Sequence, residues 1–169
     1  MTVNLHLVLR DMVEPAFAEL PARMASDEAR VMLLAIGLQE SRFRHRLQMP
    51  PRPGMPNGPA RGFWQFERGG GVAGVLTHPA SRDIAAAIIH KRGIPNESRA
   101  VWTALAEDDV LAAIFARLLL FTDAAPLPAI GRDAHAWACY IRNWRPGKPH
   151  PQTWKALYDS AVETVKGKA

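Results

Sequence analysis

Between Met49 and Gly62 the chain reads MPPRPGMPNGPARG, and no regular helix or strand runs through a stretch with five prolines and three glycines. It splits an otherwise helix-patterned chain into two flanks that must meet across an irregular connection. Loops this long inside a compact unit are often functional. On the N-terminal side, Ser26 followed by Asp27 and Glu28 is a helix start, because the hydroxyl caps free amides and the carboxylates complement the positive end of the helix dipole. Val31, Leu34, Ala35 and Leu38 then form one stripe, and the helix is expected to reach about Leu47 before Pro50 and Pro51 finish it. On the other side, Gly62 to Glu67 (GFWQFE) suits a brief strand or extended turn, broken by Gly69, Gly70 and Gly71. Helical patterns return at 81 to 92, 98 to 106, 108 to 122, 132 to 144 and 151 to 165, with Gly93 stopping the first and Pro126 and Pro128 separating the last two from the rest.

These patterns predict a mainly α protein with at most a small β-hairpin near residues 62 to 75. The 169 residues, 48% of them hydrophobic, support one sizeable core and hence a single domain. The longest apolar run, Val110 to Phe121, is interrupted by Arg117 and falls short of the ~20 residues that cross a bilayer, so no transmembrane segment is expected. The N-terminus lacks the basic head and small-residue cleavage site of a secretory signal. The lone cysteine, Cys139, lies in an apolar helical stretch and suits a buried small side chain better than a nucleophile. A net charge of +5 suits any polyanion and equally a solvated surface. The six histidines are scattered without ligand spacing and no phosphate-binding glycine loop follows Gly69 to Gly71, so neither a metal nor another cofactor is expected.

Three clusters carry side chains fit for chemistry. Glu40 lies in LLAIGLQESRF between the apolar positions Ile36 and Phe43, at the edge of the buried stripe and in the C-terminal half of its helix. Partial burial and the helix dipole both push its pKa upward, which suits a general acid. Arg44 stands one turn on, and a surface Glu40–Arg44 ion pair is the competing reading. In the second cluster an extended Phe63-Trp64-Gln65-Phe66-Glu67 would put Phe63, Gln65 and Glu67 on one side and Trp64 and Phe66 on the other. That offers an amide and a carboxylate beside an aromatic ring, as sugar binding needs; alternatively the aromatics fill core. In the third, Trp137, Tyr140 and Trp144 share a helical face, a packed stripe into which Tyr140 and Asn143 bring polar groups.

Taken in order, these clusters resemble the lytic transglycosylase and lysozyme-like superfamily. Glu40-Ser41-Arg42-Phe43 is similar to its Glu-Ser-x-Phe helix end. Gly62-Phe63-Trp64-Gln65 follows its Gly-hydrophobic-Met-Gln motif with tryptophan for methionine, and Tyr140 or Asn143 fills its later Tyr-Asn segment. The resemblance covers about residues 30 to 145, with the first and last helices as additions and a longer insertion between Glu40 and Gln65. It implies a lysozyme-like fold and cleavage of the β-1,4 bond between N-acetylmuramic acid and N-acetylglucosamine in peptidoglycan. Glu40 would be the catalytic acid/base, and Ser41, Phe63, Trp64, Gln65, Glu67, Tyr140 and Asn143 would contact the glycan. A hydrolytic version needs a second group to position water, and Glu67 is the candidate.

Two other readings remain open. One is a basic nucleic-acid-binding module built on Arg42, Phe43, Arg44, His45 and Arg46. The other is a catalytically silent lysozyme-like structural protein of a phage particle. A wall-directed enzyme without an export signal further suggests a phage or prophage product, acting with other lysis proteins or within a virion.

Overall fold

The computed structural model describes residues 2–48 and 57–168. Most of the Met49–Gly62 loop, residues 49–56, therefore lies outside the described residues. The chain opens with α1 (Leu5–Val8), a π turn (Leu9–Val13) and α2 (Glu14–Glu19) in line. The π turn falls just ahead of Pro15, whose missing N–H and ring disturb the ordinary ladder. A 3-10 turn (Ala22–Met24) leads into α3 (Asp27–Ser41), capped as expected by Ser26, whose Oγ accepts the Ala29 N–H at 3.1 Å.

Two short strands, β1 (Ala60–Arg61) and β2 (Phe66–Glu67), make an antiparallel hairpin. A glycine-rich π turn (Arg68–Val72) passes into α4 (Ala73–Thr77), a helix that the three glycines hide from the sequence pattern. Then follow α5 (Arg82–Lys91), α6 (Ser98–Ala104), α7 (Asp109–Phe121), α8 (Asp133–Trp144) and α9 (Pro151–Lys166). Gly93 stops α5 at φ 65°. The fold is mainly α with a small hairpin, and no helix among the described residues is long and apolar enough to cross a membrane.

Two helices form the centre. α3 buries not one stripe but Val31 through Leu38 without a break, because α7 and α9 both pack against it. In α7 everything from Leu111 to Leu120 is buried, including Arg117, whose Nε donates to the Met24 carbonyl at 2.9 Å. The terminal helices belong to the same core: Phe17 of α2 and Trp154, Tyr158 and Val165 of α9 are all buried in it.

α3 ends six residues before the expected Leu47. Arg42 and Phe43 both take left-handed backbone, with φ 57° and 53°, and turn the chain back. The cause lies in Ser41 and Phe43 of the motif together with Gly37, one turn earlier in α3. The Phe43 ring folds onto Gly37 and fills the space of a side chain there: a Cβ on Gly37 would lie 2.1 Å from its Cζ. Ser41 Oγ accepts the Phe43 N–H at 3.1 Å and donates to the Phe63 carbonyl at 2.7 Å, tying the reversal to the hairpin.

Candidate functional site

Of the expected extended run only Phe66 and Glu67 form strand, and residues 62–65 are instead a tight turn between β1 and β2. Gln65 N–H donates to the Gly62 carbonyl at 2.9 Å, and Gln65 takes φ 53°. Strand alternation therefore does not sort these side chains. Gly62 is required, since at φ 73° an added Cβ would sit 2.7 Å from the Leu105 carbonyl oxygen. Phe63 and Trp64 both point into the core, edge-on to the Phe43 ring at 5.7 and 5.4 Å. Trp64 is wholly buried and its Nε1 donates to the Leu33 carbonyl in the middle of α3 at 2.8 Å. Ser41, Phe63 and Trp64 thus hold the turn against α3 from beneath and do not face solvent. That leaves Gln65 and Glu67 at the surface of a cleft of about 1270 Å³.

Glu40, in the last turn of α3, also lines this cleft. Its hydrogen-bond partner lies a hundred residues on: Tyr140 Oη donates to Glu40 Oε1 at 2.5 Å. The helical spacing that would favour a surface ion pair with Arg44 is lost, because α3 stops at Ser41. Burial, opposed by the Tyr140 hydrogen bond and reinforced by the charge of Glu67, pushes the Glu40 carboxyl up to about 7. Tyr140 is itself pushed well above the usual phenol range, by burial first and then by Glu40, so its hydroxyl remains a donor. Its ring is fixed by packing, stacked on Trp154 of α9 at 5.3 Å and 5° between planes and tilted against Trp137 at 5.4 Å. The third cluster is therefore both an aromatic stripe and part of the site.

Tyr140 and Asn143 divide the roles left open between them. Tyr140 touches Glu40, whereas Asn143 lines the cleft wall. The Asn143 amide donates to Asp123 Oδ2 and to the Cys139 carbonyl, each at 2.8 Å, leaving its amide oxygen as the group it offers. Cys139 is buried beneath it, and burial raises its thiol pKa. Trp144, the last residue of α8, donates from Nε1 to the Trp64 carbonyl at 2.8 Å and so locks α8 to the hairpin turn.

Part of the cleft escaped sequence reasoning. Its floor is made by Gly69, Gly70, Gly71, Ala73 and Gly74, and a Cβ at Gly69 or Gly74 would meet nothing within 4 Å. One wall is the segment after α8, with Arg145, Lys148 and His150. Glycine runs are read as breaks and loop residues as solvated, so neither carries a local signal. The aromatic residue interleaved in the basic stretch after Glu40 does not reach the surface. Phe43 is buried, Arg42 donates to the Leu38 carbonyl, and Arg46 donates to Asp109 from Nε and Nη2, each at 2.8 Å.

Comparison of the chain with protein-family models, with curated proteins and with solved structures finds no match.

Proposed function

We propose that the protein cleaves peptidoglycan glycan strands at the β-1,4 bond between N-acetylmuramic acid and N-acetylglucosamine, with Glu40 as acid and then base. The observation that carries this reading is a cleft-lining carboxyl held up to about 7, whose hydrogen-bond partner is the neutral Tyr140 hydroxyl. Such a group keeps its proton near neutrality and can pass it to a leaving oxygen. The cleft, about 1270 Å³ and lined by the hairpin, α4 and the end of α8, is larger than a single sugar requires.

In the reaction the Glu40 proton goes to the glycosidic oxygen as the bond to C1 breaks. The substrate's own acetamido oxygen stabilises the positive charge at C1, so no second carboxylate is needed at that step. The Glu40 carboxylate then takes the proton of the C6 hydroxyl, whose oxygen bonds to C1 and gives a 1,6-anhydro end. Tyr140 holds the carboxylate in place between the two transfers. If water replaces the C6 hydroxyl, Glu67 is the other carboxylate among the described residues lining the cleft and the group to orient it.

The test is digestion of purified peptidoglycan followed by mass spectrometry of the released fragments. Wild type is expected to release anhydro-ended fragments, Glu40→Gln none, and Glu67→Gln at most a few-fold less than wild type. Fragments heavier by one water would make the enzyme a hydrolase. Full activity in Glu40→Gln would remove the central claim, and glycan binding without cleavage by wild type would leave a silent structural protein.

A further inference from the structure

The wall of the cleft that follows α8 carries positive charge without a carboxylate counterpart among the described residues. Arg142 is accounted for, since it pairs with Asp123 at 2.7 Å. Arg145 and Lys148, both exposed and both lining the cleft, have no carboxylate partner among the described residues. Arg145 reaches only the Arg142 carbonyl, at 3.4 Å. His78 of the opposite rim spends Nδ1 on the Ala80 N–H, which leaves Nε2 for the cleft.

This segment is held at both ends. At its start Trp144 is bound to the Trp64 carbonyl, next to Gln65. At its end the Gln39 amide donates to the His150 carbonyl at 3.1 Å and accepts from Thr153 Oγ1 at 3.0 Å. Gln39 immediately precedes Glu40. The two cations are therefore carried on a strap pinned between the residue beside the acid and the turn that holds Gln65.

We propose that Arg145 and Lys148 are specificity residues that bind carboxylates carried by the substrate strand, so that the cleft prefers glycan bearing its peptide stems over bare glycan. The inference rests on the glycan-cleaving reading above. With its lactyl carboxyl capped as an amide, as it is beneath a stem, the bare glycan of alternating N-acetylhexosamines offers cations only hydroxyls and amides. Each peptide stem adds carboxylates along the strand, close to the sugars a cleft would hold. A fixed strap meets such groups without the ordering cost of a free loop. Two exposed cations confer selectivity of a few-fold each, an effect that salt screens.

The experiment measures binding, in the Glu40→Gln protein, to soluble strands free of other wall polymers, either carrying their stems or stripped of them by an amidase and then amidated at the lactyl carboxyl that the amidase frees. Stem-bearing strands are expected to bind about fivefold or more tightly, with the margin shrinking towards one at 0.5 M salt. The margin should also collapse in Arg145→Asn/Lys148→Gln, where asparagine tolerates the left-handed backbone at position 145. Equal affinity for the two strands, or a preference that survives in the double variant, overturns the inference and leaves glycan cleavage standing. A stem preference that depends on these residues, in a protein whose wild type cleaves nothing, overturns the cleavage reading instead. Binding to neither strand overturns both.

Discussion

Glu40 illustrates how a single residue acquires a chemistry that its type does not specify. An exposed glutamate is ionised at neutral pH; this one sits at the closed end of a helix, where the dipole is unfavourable, and loses solvent to α8. On the proposed reading the acid must be protonated to act, so activity is expected to fall as pH rises through about 7. The Tyr140 hydrogen bond lowers that value, so in Tyr140→Phe the limb moves to higher pH while kcat drops by roughly 10-fold to 100-fold. A pH–rate profile of the variant checks both; an unshifted limb would mean that Tyr140 only packs. The same shift bears on stability. The folded carboxyl binds its proton more tightly than the unfolded one, whose pKa is near 4.5, so stability falls as pH rises from 4.5 to about 7. The full loss is at most about 3 kcal/mol. Glu40→Gln removes this dependence, and its melting temperature is expected to exceed that of wild type at pH 8 and to approach it at pH 5.

Among the elements, α3 and its sudden end decide the site. The Glu-Ser-x-Phe signature is legible in the sequence as a resemblance, but its structural basis is the Gly37–Phe43 contact, which periodicity does not report. Gly37 looks like a weak point in a helix, yet the absent side chain is where the ring lies. Gly37→Ala is therefore expected to destabilise by about 1–3 kcal/mol despite alanine's higher helix propensity. In a Phe43→Ala background the same change should cost much less, and a double-mutant cycle by urea unfolding measures the coupling. Capping at Ser26, the boundaries of α5 to α9 and the stop at Gly93 were legible because each follows from local chemistry. The early end at Ser41 was not, because it depends on the Phe63 carbonyl twenty-two residues away.

At the scale of the whole molecule the cleft exists because one side is built from almost no side chains. The glycine floor lies opposite the α8 wall, and α9 secures that wall by stacking Trp154 on Tyr140. Gly74 lies in α4 with open space where a side chain would be. Gly74→Leu should therefore fold at least as stably as wild type, given a helix propensity gain of up to about 1 kcal/mol. Its side chain would intrude on the cleft, however, and binding of glycan strands should weaken several-fold. Unchanged binding would place the strand elsewhere.

Periodicity, capping and residue type act within a few positions, so the sequence carried the helical composition, the small hairpin and the order of the clusters, and marked Glu40 as a candidate acid at the edge of a buried stripe. Tertiary structure alone decided that Phe63 and Trp64 support the turn from within while Gln65 reaches the cleft, because the turn has no period to read. It also decided that Tyr140 meets Glu40 and that four glycines and an alanine line the floor of the cleft. Those outcomes depend on which surfaces close over one another, and burial by a distant helix sets a carboxyl's proton affinity more strongly than the neighbours it has along the chain.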